Sequence, residues 1–311
     1  MELVDAIKLS EAIILSVLAA STPLLIAATG ELVTERSGVL NLGVEGMMIV
    51  GAACGFGGAW ATGSIIMGAL CGIVAGTALS LVFALMTLGL AVNQVAAGLA
   101  LTILGSGLSG LIGAGFVGER IATAPHLYVP GLTDIPLLGR IVFGEDAFVY
   151  LSLALIIGIW WFLYRTRTGL ILRACGDNHV SAHALGYPVL TIRLLAVMFG
   201  GACAGLAGAY LPLAYTPFFI PGMTAGRGWI ALALVVFASW RPGRLVIGAY
   251  LFGAVTILQL HAQGAGIGIP SQFMSALPYL ATIIVLVLLS RTRRGGSTAP
   301  AALGTVFVPD R

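Results

Sequence analysis

The sequence predicts an all-α polytopic membrane protein with about nine transmembrane helices, some of which are broken. Of its 311 residues, 59% are hydrophobic and only 9% are charged, whereas a soluble globular domain carries about 25% charged residues. The apolar runs are roughly 20 residues long, as membrane-spanning helices require, and lack the alternating roughly 10-residue strands of an outer-membrane barrel. The 43 glycines favour closely packed transmembrane helices, because small residues let backbones approach.

Nine apolar segments have the length of a membrane-spanning helix or of a broken one. In chain order they cover residues 11–30, 39–59, 65–88, 95–117, 147–164, 191–214, 227–240, 244–262 and 273–290. Between the fourth and fifth segments, residues 118–146 contain several prolines and glycines, which predicts an irregular cap outside the membrane. We expect a single transmembrane domain over residues 1–294, followed by a disordered tail over residues 295–311.

The distribution of basic residues predicts the orientation of the chain. With the polar segment between the fifth and sixth spans placed inside, eleven arginines lie at the cytoplasmic side and only four basic residues lie at the outer side. Cytoplasmic loops carry the excess of Lys and Arg. We therefore expect the N-terminus outside and the C-terminus inside, in a bacterial inner membrane.

Two regions interrupt the apolar pattern. The first segment is predicted to break at Pro23 and ends in the polar sequence GELVTERSGVLNLGVEG. The second region, TPFFIPGMTAGRG at residues 216–228, separates the sixth and seventh segments. Non-helical backbone at membrane depth is tolerated only where protein or water satisfies it. The two regions lie in opposite halves of the chain and on opposite predicted sides, which suggests an inverted repeat with a site between its halves.

The segment between the fifth and sixth spans, residues 165–193, is polar and basic: RTRTGLILRACGDNHVSAHALGYPVLTIR. Its charged side chains would each cost several kcal/mol in hydrocarbon, so it lies in water at one membrane face. Asp177 or Asn178 is expected to cap a short helix that Gly186 ends. Such a helix would present polar side chains to a soluble partner. A solvated loop that only follows the positive-inside rule is the alternative.

Three stretches together resemble the permease subunits of ATP-binding-cassette importers for ribose-like sugars, branched-chain amino acids and nucleosides. The first is ERSGVLNLGVEGMM at residues 35–48. The second is RACGDNHVSAHALG at residues 173–186, followed by GGACAGLAGAYL. The third is GRGWIALALVVFASWRPGRLVIGAYLFG at residues 226–253, with IPSQFMSALPYLATIIVL downstream. The first and third stretches are most similar to the nucleoside branch of the family.

The resemblance implies that the chain moves nucleosides and uses ATP hydrolysed by a cytoplasmic cassette ATPase. It also implies a second, different permease subunit and an extracytoplasmic substrate-binding lipoprotein as partners, within membrane lipid and without nucleic acid. ATP and Mg²⁺ belong to the ATPase, so this chain is expected to bind no cofactor. The resemblance assigns the ATPase contact, within a coupling segment over residues 165–190, to Arg173, Gly176, Asp177, Asn178, Ala182 and Gly186. His179 stands where the family more often has proline, and it joins this group because the short helix would present it to a partner.

Asn41 and Glu45 are candidate substrate-binding residues in the first interruption. They are four positions apart and would share one face of a helix. A carboxylate in an apolar run should face a cavity, a helix end or a basic partner, and Arg36 is a possible partner. Glu45 is expected either to bond ribose hydroxyls or to brace the broken backbone.

Two further groups of residues are candidates for the substrate site. Asn93 and Gln94 open the fourth segment, where their amides could read a base edge, cap the helix or bond across helices. Around the second interruption, an aromatic face suits stacking on a base or sugar, although an interfacial aromatic belt has the same composition. This second group consists of Phe218, Phe219, Arg227 and Trp229.

The sequence offers no catalytic constellation, so we expect no enzyme. It has no nucleotide-binding Walker motif, and no GxSxG or HExxH motif, so the energy for transport must come from a partner. A secondary transporter coupled to ions is a weaker alternative, because apart from Glu45 no predicted span carries a centrally placed charge. The same machinery acting on a simple sugar or a branched-chain amino acid also remains open.

Overall fold

The computed structural model describes residues 2–133, 135, 138–264 and 299–308, and a few single residues between 273 and 287. The described chain is almost entirely helical. Its α-helices are α1 Glu2–Arg36, α2 Val44–Thr62, α3 Ile65–Ala84, α4 Gln94–Gly113, α5 Leu138–Phe143, α6 Ala147–Arg165, α7 Arg167–Asp177, α8 His179–Ala184, α9 Val189–Tyr210, α10 Arg227–Phe237 and α11 Pro242–Gly264. Single π-helical turns extend α3 and α9, at Leu85–Gly89 and Leu211–Tyr215.

Seven of these helices are long and apolar enough to cross a membrane, which confirms the predicted multi-pass, all-α fold. They match predicted segments one to six and eight. The seventh contains α10, whose 11 residues measure about 16 Å at 1.5 Å per residue. A hydrocarbon core is about 30 Å thick, so α10 covers about half of it. The predicted ninth segment, residues 273–290, lies largely outside the described residues.

Helix α6 joins the two faces of the molecule. At its start lies the long connection of residues 117–146, and at its end lie α7 and α8. We call these the loop face and the α8 face.

The predicted break at Pro23 is wrong, because α1 runs through this residue without interruption. A proline has no backbone N–H, so the carbonyl of Ala19, four residues earlier, loses its helical donor. The hydroxyl of Tyr210 donates a hydrogen bond to that carbonyl over 3.2 Å, and the Tyr210 side chain is fully buried. The helix continues because a neighbouring side chain replaces the donor that proline removes.

Helices α2, α3 and α9 pack closely through glycine, as the composition predicts. A methyl group at Gly51 of α2 would lie 2.6 Å from Cα of Gly205 in α9. A methyl group at Gly205 would in turn overlap the backbone of Gly72 in α3. Only a residue without Cβ allows this approach. Around this centre, α1 packs against α6, α9, α10 and α11, and α4 packs against α2.

The end of α1 is tied to the turn between α10 and α11. The indole N–H of Trp240 donates a hydrogen bond to Glu35, and Arg36 donates to the carbonyl of Trp240 over 2.7 Å. Ser239 and Trp240 both have left-handed backbone angles, with φ of 54° and 55°. Residues other than glycine are uncommon in that region, so the contacts with α1 hold a strained turn.

Within the tail predicted to be disordered, residues 295–311, the described residues 299–308 adopt a defined position. Residues 299–308 pack on the α8 face, where Ala302 and Phe307 are buried. The backbone N–H of Ala302 donates to the carbonyl of Gly176 over 2.9 Å, and that of Gly304 donates to the carbonyl of Gly38 over 3.1 Å. Composition alone suggested disorder because these small residues find their partners only in the folded chain.

Candidate transport and coupling sites

The connection between α1 and α2, residues 37–43, folds back alongside α4. The backbone N–H of Leu40 donates to Oε1 of Gln94, at the start of α4, over 2.8 Å. In the first turn of α2, Gly46 lies directly against Gly105 of α4. Gly105 lies about 16 Å along α4 from Gln94, roughly half the thickness of the hydrocarbon core. Helix α2 therefore begins about halfway along α4.

Helix α10 also begins there, and Glu45 joins the two helix starts. One carboxylate oxygen of Glu45 accepts hydrogen bonds from the Thr224 hydroxyl over 2.6 Å and from the Gly226 N–H over 2.9 Å. The other accepts from the Gly228 N–H over 2.6 Å. Two of these three donors are free N–H groups at the start of α10, and the carboxylate lies at the positive end of the helix dipole.

These contacts decide between partners predicted for Glu45. The pairing with Arg36 is wrong, because Arg36 donates to the Trp240 carbonyl instead. Bracing of the broken backbone describes the observed geometry, since both carboxylate oxygens bind donors of the chain. Contact of Glu45 with a sugar hydroxyl stays a prediction.

Asn41 lies in the connection before α2 and is fully buried. Its backbone N–H donates to Glu31 over 3.2 Å, and its side-chain oxygen accepts from the Gly43 N–H over 3.0 Å. The shared helical face considered for Asn41 and Glu45 required the whole stretch to be helical, and this condition is not met because α2 begins only at Val44. Asn41 instead stabilises the turn that leads into α2.

The aromatic residues of the second interruption lie towards the loop face. Phe219 is 2% exposed and packs on Phe56, with ring centroids 6.2 Å apart. Phe218 and Trp229 are half-buried. The guanidinium of Arg227 donates to the carbonyl of Met223 over 3.0 Å. In this structure Phe219 is a packing residue rather than an open stacking surface.

Asn93 and Gln94 lie at the α8 face, away from these aromatics. The side chain of Asn93 accepts from the Ala96 N–H over 3.0 Å, so it caps α4, as one of the alternatives predicted. The amide of Gln94 binds Leu40 through its oxygen and approaches Thr305 through its nitrogen. The structure therefore distributes the predicted substrate residues over three places and does not bring them into one pocket.

A cavity of about 780 Å³ opens at the loop face, between α1, the connection before α6, the end of α9, and α11. The sequence did not predict it. Its polar lining groups include hydroxyls, two imidazoles and two buried carboxyl groups. They are Ser16, His126, Tyr128, Thr133, Arg140, Glu145, Asp146, Tyr210, Tyr215 and His261.

The two carboxyl groups differ in their surroundings. Asp146 accepts from the N–H groups of Phe148 and Val149 over 2.8 and 3.1 Å, so it caps α6. Burial, followed by the neighbouring Asp146, raises the pKa of Glu145 to about 7. One oxygen of Glu145 has no hydrogen-bond partner among the described residues. The acidic pair before the apolar run of α6 is a sequence signal for a helix cap. The cavity has no such signal, because residues 117–146, which form part of its wall, show no hydrophobic periodicity.

The polar segment at the α8 face forms two short helices. Asn178 caps α8, as predicted for it or Asp177, by accepting from the Ser181 N–H over 2.9 Å. Gly186 follows the helix with a left-handed φ of 86°, as expected for a residue that ends it. The guanidinium of Arg173 lies 5.0 Å from the ring centroid of Tyr164.

The predicted coupling residues separate into exposed and buried groups. Asp177, Asn178 and Gly186 are exposed, Arg173 and His179 are half-buried, and Gly176 and Ala182 are buried. A methyl group at Gly176 would overlap the backbone of Arg36, so this glycine sets how closely α7 approaches the end of α1. The buried residues therefore position the helix, and the exposed ones are available to a partner.

Comparison with known proteins identifies the family. Residues 13–295 match the model of the family described as branched-chain amino acid transport system / permease component. The chain is 31% identical to the nucleoside ABC transporter permease protein NupC of Lactococcus lactis, over 99% of this chain and 100% of the relative. It is 30% identical to the guanosine ABC transporter permease protein NupQ of Bacillus subtilis, over 98% of each.

A third relative carries a different substrate in its name. The chain is 44% identical to a protein named "Putative glucose ABC transporter permease protein TsgC13" of Haloferax volcanii, over 91% of this chain and 93% of the relative. All three are permease proteins of ABC transporters, and all three align along nearly the whole chain. The chain belongs to the branched-chain amino acid transport system permease family and is a multi-pass permease component of an ABC transporter.

Proposed function

We propose that the chain imports nucleosides across the inner membrane, in a complex whose ATPase supplies the energy. The full-length similarity to two permeases named for nucleoside and guanosine transport carries this proposal. The motifs around Glu45 and after Gly226 agree with it, because they resemble the nucleoside branch. Residues 1–294 act as one permease domain, and the chain binds no cofactor of its own.

The α8 face is the proposed docking surface for the cassette ATPase. Two large apolar side chains of the short α8 region are exposed to water, Val180 at 63% and Leu185 at 77%. Exposed apolar side chains on a polar surface helix are typical of a site that a partner covers. The ATPase is proposed to contact the exposed members of the coupling group and to move α7 and α8 together.

The orientation follows from this docking. The α8 face lies in the cytoplasm with the C-terminus, and the loop face and the N-terminus lie outside. A lipoprotein that binds the solute delivers it to the loop face, and a second, different permease completes the pathway. The family supports an ATPase and a substrate-binding partner in general, and these finer assignments are part of the proposal.

The cavity at the loop face is the proposed site at which the permease first binds the solute. Its hydroxyl, imidazole and carboxyl groups donate and accept hydrogen bonds, as a ribose or hexose ring requires. The predicted substrate residues around Glu45 and Arg227 would act deeper along the pathway.

Glucose is the second candidate solute, because the relative named for glucose is 44% identical over most of both chains. A hexose and a nucleoside share a ring with several hydroxyl groups, so the cavity fits both. A base would distinguish them only through additional aromatic or amide contacts.

Uptake by the reconstituted complex tests the proposal. Proteoliposomes would contain this chain with the ATPase, second permease and lipoprotein encoded beside it, and labelled guanosine, adenosine, glucose and leucine would be offered. We expect uptake of nucleosides that requires ATP on the side of the membrane where the ATPase lies. Uptake of glucose alone would support the second candidate. Uptake driven by an ion gradient without ATP would overturn both.

A further inference from the structure

Residues 299–308, which we call the C-terminal strap, connect three parts of the α8 face. Ala302 donates its backbone N–H to Gly176 at the end of α7 over 2.9 Å. Gly304 donates to Gly38, in the connection that leads to α2, over 3.1 Å. The strap therefore bridges the coupling segment and residues 37–43 by backbone hydrogen bonds.

The side chain of Arg193 contacts the coupling segment, the strap and the connection before α2. Its side chain is fully buried, and Nε donates to the carbonyl of Ser37 over 3.1 Å. Nη1 donates to the carbonyl of Thr305 in the strap over 3.3 Å, and Nη2 lies 3.3 Å from Nδ1 of His179 in α8. No carboxylate of the described residues forms an ion pair with it.

A buried guanidinium without a counter-ion is costly unless its donors are satisfied. The three acceptors of Arg193 come from three different elements. Moving any one of them away would leave a buried N–H group of the guanidinium without an acceptor, which is unfavourable. Arg193 therefore favours movement of α8, the strap and the connection to α2 as one unit.

Phe307 fixes the strap to α8 through side chains. Its ring is 9% exposed and meets the imidazoles of His179 and His183 edge to face, at centroid distances of 5.0 and 5.4 Å. Edge-to-face aromatic pairs at this distance are favourable beyond their burial. Phe307 also belongs to a small buried cluster with Cys175, Ala182 and Val189.

We propose that the C-terminal strap transmits the motion of α8 to the connection before α2, with Phe307 and Arg193 as positioning residues for coupling. A displacement of α8 moves Phe307 and the strap, and through Gly304 it moves Gly38. Residues 37–43 lead directly into α2, whose first turn holds Glu45 and the start of α10. This inference rests on the proposed docking of the ATPase at α8.

The test compares Phe307→Ala with Val308→Ala in the complete transporter. Val308 is the next residue of the strap and is 65% exposed, so it is a matched control. The measurement is the number of solute molecules moved for each ATP hydrolysed. We expect Phe307→Ala to lower this ratio about fivefold or more, the usual scale of coupling between sites, and Phe307→Trp to restore most of it. Equal ratios for Phe307→Ala and Val308→Ala would overturn the proposal.

Labelling of Cys175 provides a readout that does not depend on transport. Cys175 is fully buried beneath Phe307, and burial raises the pKa of its thiol. With Cys54 and Cys71 replaced by alanine, maleimide should label Cys175 faster in Phe307→Ala than in Val308→Ala. Equal labelling rates would show that Phe307 does not hold the strap, which also overturns the proposal. A wild-type complex that moves no solute with ATP would refute the proposed function instead, and the labelling result would still stand.

Discussion

The hydroxyl group of Tyr210 compensates for the backbone donor that Pro23 lacks. We predict that Tyr210→Phe lowers the free energy of unfolding by about 1 kcal/mol, because the part-buried carbonyl of Ala19 loses its hydrogen-bond donor. In a chain that carries Pro23→Ala, the helical N–H is restored, so the same substitution should cost much less. Unfolding in mixed detergent micelles measures all four variants. Equal losses in both backgrounds would contradict this account of α1.

Glu45 is the residue on which two helix starts depend. Glu45→Gln keeps the shape of the side chain but turns one acceptor into a donor that faces the N–H of Gly228 or Gly226. We predict a loss of about 1–3 kcal/mol in unfolding free energy, the cost of an unpaired buried group, and loss of ATP-driven uptake. Glu119→Gln, at an exposed carboxylate of the loop face, is the control. Wild-type stability in Glu45→Gln would show that the carboxylate does not cap α10.

The raised pKa of Glu145 predicts how the free energy of unfolding depends on pH. Its pKa is raised to about 7 in the folded chain, first by burial and then by Asp146, whereas an unfolded Glu titrates near about 4.3. Between these values the folded chain holds more protons, so stability falls as pH rises from about 4.5 through 7.

We expect the unfolding temperature of the wild-type chain to decrease over this range and that of Glu145→Gln to decrease less. Thermal unfolding at several pH values between 5 and 8 measures the difference. Glu119→Gln should follow the wild-type profile. A Glu145→Gln profile parallel to the wild type would contradict the raised pKa.

The structural roles of Glu45 and Asn178 could be predicted from the sequence, but few of their hydrogen-bond partners could. The isolated carboxylate of Glu45 was predictable because an apolar run surrounds it, and Asn178 was predictable from its position before α8. Thr224 and Gly226, which bind Glu45, were not, because no local pattern connects residues so far apart in the chain. The same reason explains why Tyr210 escaped prediction as the partner of α1.

At the scale of elements, the length of an apolar run identified the helices that are long enough to cross the membrane. It did not show that one run, residues 227–240, forms a helix too short to cross. The sequence placed a membrane segment at residues 227–240, and the structure has an 11-residue helix there. Its start is supported by Glu45 and its end by the turn at Trp240, and both supports are tertiary. Pro23 shows the opposite error, since a strong local signal for a break was overruled by one side chain from α9.

Helix α8 is short enough that its cap should decide whether it forms. It has six residues, and removing an N-cap side chain costs about 1 kcal/mol. We predict that Asn178→Ala weakens binding of the ATPase about fivefold, since about 1.4 kcal/mol corresponds to tenfold in affinity. Asn178→Asp keeps an acceptor for the Ser181 N–H and should bind like the wild type. Equal affinities for the alanine and aspartate variants, measured in detergent, would show that the cap is dispensable.

At the scale of the whole molecule, the contacts form a continuous connection from α8 to Glu45, where α2 and α10 begin. The C-terminal strap and Arg193 join α8 to residues 37–43, and α2 carries this connection to Glu45 and α10. Glycine contacts hold α2, α3 and α9 too closely for side chains to adjust between them. Motion at α8 should therefore shift packed helices together rather than bend one of them, because close-packed cores deform little.

The ATPase can drive this connection only if α8 faces the cytoplasm. We predict that a membrane-impermeant maleimide added to intact cells labels Glu119→Cys but not Ser181→Cys, in a chain whose own four cysteines are replaced. Both positions are exposed, and they lie on the loop face and the α8 face respectively, so accessibility reports the side of the membrane. After permeabilisation both should react. Labelling of Ser181→Cys in intact cells would place α8 outside, where no ATPase can reach it, and would refute the orientation together with the coupling role of the strap.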